Sequence, residues 1–101
     1  MTEPIIQTYR EFWPFYLSQH RERRTQILHT TGLVLALTYV LVTILSGYAW
    51  FALAAPVIGY GFAWYSHFFI EHNRPATWKY PVWSFVSDFR LAFFVLIGRR
   101  P

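Results

Sequence analysis

Residues 25–70 read TQILHTTGLVLALTYVLVTILSGYAWFALAAPVIGYGFAWYSHFFI and hold no Asp, Glu, Lys or Arg. Ser46-Gly47-Tyr48 interrupts the run near its middle, and a histidine stands near each end, His29 and His67. A helix crosses a bilayer with roughly 20 apolar residues. The run therefore has room for two spans, residues 27–46 and 48–70, joined by a tight turn. Folded at that turn, His29 and His67 fall at similar depth, each 19 residues from Tyr48. The fold class that follows is an all-α integral membrane protein. A transmembrane helical hairpin is expected, flanked by an N-terminal amphipathic helix and a C-terminal helix that is interfacial or dips into the membrane.

The 101 residues make one domain, 1–101, with 54% hydrophobic and 22% aromatic residues. That balance fits a chain whose solvent is partly lipid; the alternative is a compact soluble helical protein with one very apolar hairpin. With no cysteine, disulfides, thiolate metal sites and thiol nucleophiles are excluded, and any metal must be held by imidazole and oxygen. No secretory leader is expected ahead of the first span. The net charge is +4, and all nine Lys and Arg lie outside 25–70. By the positive-inside rule both termini are cytoplasmic and the turn lies on the far side, in the inner membrane of a bacterium or the endoplasmic reticulum of a eukaryote. The basic residues fit anionic lipid headgroups or an acidic substrate, and no nucleic-acid partner is expected.

Residues 1–7 read as a short frayed lead. Tyr9, Phe12, Trp13, Tyr16 and Leu17 then recur at spacings of three and four, which predicts an amphipathic helix over 8–22 lying in the membrane interface. Pro14 starts or kinks it, and His20 continues its apolar face. Pro56, Gly59 and Gly61 in the second apolar half suit close packing or a local kink. Two prolines make 71–81 an ordered loop, and a final helix is expected over 82–97, with Ser84, Ser87, Asp88 and Leu91 on one face.

All four histidines, His20, His29, His67 and His72, map to the open end of the hairpin. Ionisable groups at membrane depth are costly and mark functional sites. His67 and Glu71 are four apart and share a helix face; such a pair supplies two ligands, or one ligand and its orienter. With His29 and His20 the set becomes three or four imidazoles and a carboxylate, a donor set for iron, zinc or manganese. His20 and His29, nine apart, would lie on opposite faces of one unbroken helix. If both reach one ion, the chain must bend between them. Asp88 is a further ligand, an orienting partner, or a surface partner of Arg90 or Lys79. Arg74 and Lys79 are placed to clamp a substrate carboxylate or to meet headgroups.

Taken in order, Phe12-Trp13-Pro14-Phe15-Tyr16-Leu17 leading to His20, His29-x-x-Gly32, Gly59-Tyr60-Gly61-Phe62-Ala63-Trp64 leading to His67-Phe68-Phe69-x-Glu71, Asn73-Arg74-Pro75-Ala76-Thr77 and Ser84-x-x-x-Asp88-Phe89 resemble the Mpo-type family of small membrane proteins. The resemblance implies an iron(II)-dependent dioxygenase of fatty-acid α-oxidation, shortening a 2-hydroxy fatty acid by one carbon with O2. It places His20, His29, His67 and Glu71 at the metal, with His72 standing where other members often carry lysine. The implied partners are the 2-hydroxy fatty acid, O2 and the lipid bilayer, with a homo-oligomer expected of so small a bundle. Two other readings compete: a haem-binding membrane subunit using His29 and His67 as a bis-histidine pair, and a non-catalytic membrane adaptor.

Overall fold

The computed structural model describes residues 5–101; residues 1–4 of the expected lead lie outside the described residues. Within the described residues the chain is all-helical, with four α-helices: α1 (Tyr9–Ser18), α2 (Arg23–Leu45), α3 (Ala55–Ser66) and α4 (Pro81–Leu96). Thr8 caps α1, its hydroxyl accepting the Glu11 N–H at 3.2 Å, while Glu11 reaches back to the Gln7 N–H. The first bond satisfies an amide that the opening helical turn leaves unpaired, and the second ties the residue before the cap to that turn. Pro14 neither starts nor ends α1, which runs through it with the ring exposed. The chain breaks between Ser18 and Arg23, as two histidines nine apart require if they are to face each other.

α2 is 23 residues long, about 34 Å at 1.5 Å per residue, and is the one described helix long and apolar enough to cross a membrane. Most of its surface is not covered by the rest of the chain: Leu35, Leu37, Leu41, Val42, Ile44 and Leu45 are all exposed. α2 ends where Gly47 adopts φ 83°. The Gly47 N–H bonds to Ile44 O at 3.2 Å and the Tyr48 N–H to Thr43 O at 2.8 Å. This left-handed closure satisfies the last carbonyls and reverses the chain.

The return segment, expected as a single helix over 48–70, is helical but changes pitch twice. Ala49–Ala54 is a 3-10 turn, α3 follows, and His67–Glu71 forms a wide π turn. Pro56 accounts for the first change. It has no N–H to give Ala52, whose carbonyl takes the Ala55 N–H in the tighter register instead. α3 packs against α2 at close range around Gly32, where a Cβ would stand 2.6 Å from Phe62 Cβ and 3.2 Å from Gly59 O. After a loop containing the short 3-10 turn Ala76–Trp78, α4 lies against α2 and α1.

An aromatic core joins α1 to α4. Phe12, Tyr16 and Leu91 are at most 1% exposed, with Trp13, Tyr80 and Trp83 packed around them. The Arg90 guanidinium covers the Trp13 ring at 4.1 Å, a cation–π contact that shields the edge of this cluster. Gly32→Ala should cost about 1–3 kcal/mol through overpacking against Phe62. Gly59→Ala, whose new Cβ meets only Ala36 at 3.7 Å, should cost less; thermal unfolding in detergent compares the two.

Candidate metal centre

His20, His29 and His67 come from three different elements: the link after α1, the first turns of α2, and the π turn after α3. They meet in one buried cluster, with His20 1%, His67 2% and His29 8% exposed. Their ring centroids lie 4.6 Å (His20–His29), 4.6 Å (His20–His67) and 5.9 Å (His29–His67) apart, and one nitrogen of each lies within 4.8 Å of the others.

The hydrogen bonds fix which nitrogens face inward. His20 Nδ1 donates to the Tyr16 carbonyl at 2.7 Å, while its Nε2 is buried with no partner. His67 Nδ1 stands 2.7 Å from Asn73 Oδ1, and Asn73 Nδ2 donates to the Gln19 carbonyl at 3.2 Å. With its amide so oriented, Asn73 accepts from His67 Nδ1–H and leaves the His67 Nε2 lone pair free. His29 Nδ1 lies 3.5 Å from Asp88 Oδ1, and Asp88 in turn accepts the Tyr16 hydroxyl at 2.6 Å. Each imidazole thus has an oxygen beside Nδ1, the arrangement that holds metal-bound histidines in one tautomer. Burial, and then the neighbouring imidazoles of His29 and His67, hold the His20 pKa well below its ordinary value. It is therefore neutral, with an electron pair available at Nε2. Burial also raises the Asp88 carboxyl to about 7, against the opposing pull of the Tyr16 hydroxyl.

These features fit a metal ion. An orphaned buried Nε2 costs free energy unless something occupies its lone pair, and three neutral imidazoles are a donor set for first-row divalent ions. His20, His29 and His67 would hold such an ion through one nitrogen each, drawing closer than the 4.8 Å within which those atoms now lie.

Glu71 and His72 are not brought into this cluster. The π turn shifts the register of residues four apart, and Glu71 Oε2 instead accepts the Glu22 N–H at 2.8 Å at the start of α2. A carboxylate there is favoured by the helix dipole. His72 is exposed and left-handed, φ 59° and ψ 43°, and closes the turn with its N–H on His67 O. Its service to the site is conformational: it lets Asn73 fold back under His67. Arg74 and Lys79 are exposed on the following loop, Lys79 with its ammonium 5.9 Å from the Tyr80 ring centroid. Asn73, Tyr16 and Gln26 join the site without having stood among its expected residues. Gln26 pins the His20 link by donating from Nε2 to His20 O at 2.8 Å.

A groove of about 280 Å³ leads away from the cluster between α2, α3 and α4. His29 and Asp88 stand at its inner end. Its walls are apolar, with Leu33, Ala36, Gly59, Ala63, Phe85 and Phe89 among them. Neither Arg74 nor Lys79 lines it.

The family of such a chain is settled by comparison. This chain belongs to the 2-hydroxy-palmitic acid dioxygenase Mpo1-like family, whose model matches residues 6–100. No curated protein and no solved structure matches it at a significant level. The matched region takes in all three clustered histidines, Asn73 and Asp88. Asn73→Ala should weaken metal binding by about 10–100-fold by releasing the His67 ring, whereas His72→Gly should leave metal content unchanged and the fold as stable or more so. Metal analysis and thermal unfolding of the purified variants check both.

Proposed function

We propose that this protein is an iron(II)-dependent dioxygenase that shortens a 2-hydroxy fatty acid by one carbon with O2, its metal held by His20, His29 and His67. The observation that carries this reading is the convergence of three buried imidazoles, His20 and His67 hydrogen-bonded through Nδ1 and His29 beside Asp88, with His29 also lining an apolar groove. The family adds the substrate class. Iron(II) bound there would supply the activation of O2 that carbon–carbon cleavage requires.

The chain's own residues divide the remaining tasks. The Tyr16 carbonyl and Asn73 hold His20 and His67 in the tautomer that presents Nε2, and Asp88 stands beside His29 Nδ1. Leu33, Ala36, Ala63 and Phe89 give the acyl tail an apolar wall in exchange for the lipid it leaves. Glu71, though outside the cluster, holds the start of α2 against the π turn and so maintains the distance between His29 and His67. Arg74 and Lys79 are better suited to lipid headgroups at the mouth than to the substrate's carboxylate, because the groove reaches His29 without passing either.

α2 crosses the membrane in this reading, with residues 48–70 returning beside it and both termini on the cytoplasmic side. A tail that enters from lipid would reach the groove through the exposed edges of Phe85 and Phe89. The haem alternative is disfavoured by packing. Axial histidines need an empty slot between them for the macrocycle, and His20 lies 4.6 Å from both His29 and His67.

Anaerobically purified protein reconstituted with iron(II) should convert 2-hydroxypalmitic acid, on admission of O2, to a product one carbon shorter. His20→Ala, His29→Ala and His67→Ala should each abolish turnover, and His72→Ala should not. Mass spectrometry of the products reads the outcome, and full turnover by a metal-free His67→Ala protein would overturn the assignment.

A further inference from the structure

Among the residues lining the groove only Asp88 is a carboxylate, and none is a lysine or arginine. Its two oxygens are in different situations. Oδ1 takes the Tyr16 hydroxyl at 2.6 Å and lies 3.5 Å from His29 Nδ1, while Oδ2 takes no hydrogen bond from any described residue. The side chain is 14% exposed, and Asp88 lines the groove beside His29. Asp88 therefore brings a carboxyl group with one unbonded oxygen to a groove whose other polar-bearing lining residues are His29 and Tyr60.

Such an oxygen welcomes a hydrogen-bond donor and repels an anion. An unsubstituted fatty acid, ionised, offers it no donor. A 2-hydroxy acid offers one O–H on the carbon next to its carboxylate, at the end of the chain that would lie beside the histidines. We propose that Asp88 is the residue that distinguishes a 2-hydroxylated acyl chain from an unsubstituted one, its Oδ2 accepting the hydrogen of the 2-hydroxyl. The inference rests on the acyl-site reading above and extends it to the recognition of the hydroxyl. Two physical effects act together. A hydroxyl hydrogen placed on the unpaired oxygen gains a hydrogen bond that the unsubstituted chain cannot make. A site built around such a bond rejects the ligand that lacks it, because the polar group is then left unpaired. Tyr16 acts as a positioning residue: its hydroxyl holds Oδ1 and leaves Oδ2 to a ligand, and the same residue's carbonyl orients His20.

The test is binding, not turnover, so that metal chemistry does not enter. Metal-free full-length protein in detergent is titrated with 2-hydroxypalmitic acid, palmitic acid and the methyl esters of both, by calorimetry. Wild type should prefer each hydroxylated ligand by at least about tenfold, in line with one buried hydrogen bond made or left unmade. The preference should persist in the esters, which carry no charge for Asp88 to repel. Asp88→Ala should bring the ratio close to one, with palmitic acid bound as well as before or better. Asp88→Asn, which keeps the shape and an acceptor for Tyr16, should narrow the ratio and covers the case in which the alanine variant does not fold. An unchanged ratio in the folded variants overturns the inference while leaving the acyl site standing. Equal weakening of all ligands also overturns it, because that is the mark of a structural role. Wild type binding none of the four ligands overturns the acyl-site reading itself, and the inference with it.

Discussion

A buried imidazole has to account for both of its nitrogens, and that requirement organises this molecule. At His20 and His67 one nitrogen is spent on a named oxygen, Tyr16 O or Asn73 Oδ1; at His29 the Asp88 carboxylate fills that place. Each of those oxygens is delivered by a different structural device. The end of α1 supplies the Tyr16 carbonyl, a π turn closed by left-handed His72 supplies Asn73, and a face of α4 supplies Asp88. The aromatic packing of α1 on α4 and the close approach of α2 to α3 at Gly32 keep these devices in register. One nitrogen of each ring lies within 4.8 Å of the others, and the unpartnered His20 Nε2 costs free energy unless something occupies its lone pair. The polar centre and the packed core are thus one construction.

Length and hydrophobicity place α2 apart from the rest of the fold. Its exposed Leu, Val and Ile side chains form a surface that water would penalise at roughly 25 cal/mol for each Å², and that hydrocarbon would not. α3 is shorter, and the return segment achieves its reach only by adding a 3-10 turn before it and a π turn after it. The second of these changes of pitch is the one that the site uses. Wide helical turns recur at functional positions because they rotate side chains out of the ordinary helical register. Here the rotation carries Glu71 away from His67 and allows Asn73 to return beneath it.

What was legible in the sequence follows from this division. The face Tyr9, Phe12, Trp13, Tyr16 and Leu17 could be read because its residues recur at the helical period, and the core is built on it. Ser84, Ser87 and Leu91 were legible on the same ground, and all three are buried. The nine-residue interval from His20 to His29 told of a bend, and the equal distances of His29 and His67 from Tyr48 told of their meeting. Glu71 was misplaced because four residues mean a shared face only in an α-helix, and nothing in His67–Glu71 announces a π turn. His72 drew attention as an imidazole, whereas its left-handed backbone is what the site needs. Asn73 stood inside a recognisable motif, but its function depends on a chain reversal that no periodicity encodes.

The central claim is that the three imidazoles form the inner surround of one metal ion. X-ray absorption spectroscopy of the iron-loaded protein, at the metal edge, tests it most directly. The account predicts a scattering pattern with three imidazole rings at metal–nitrogen distances of about 2.1 Å, falling to two in His29→Ala. A shell of oxygen donors without imidazole scattering, or one unchanged when His29 is removed, would contradict it.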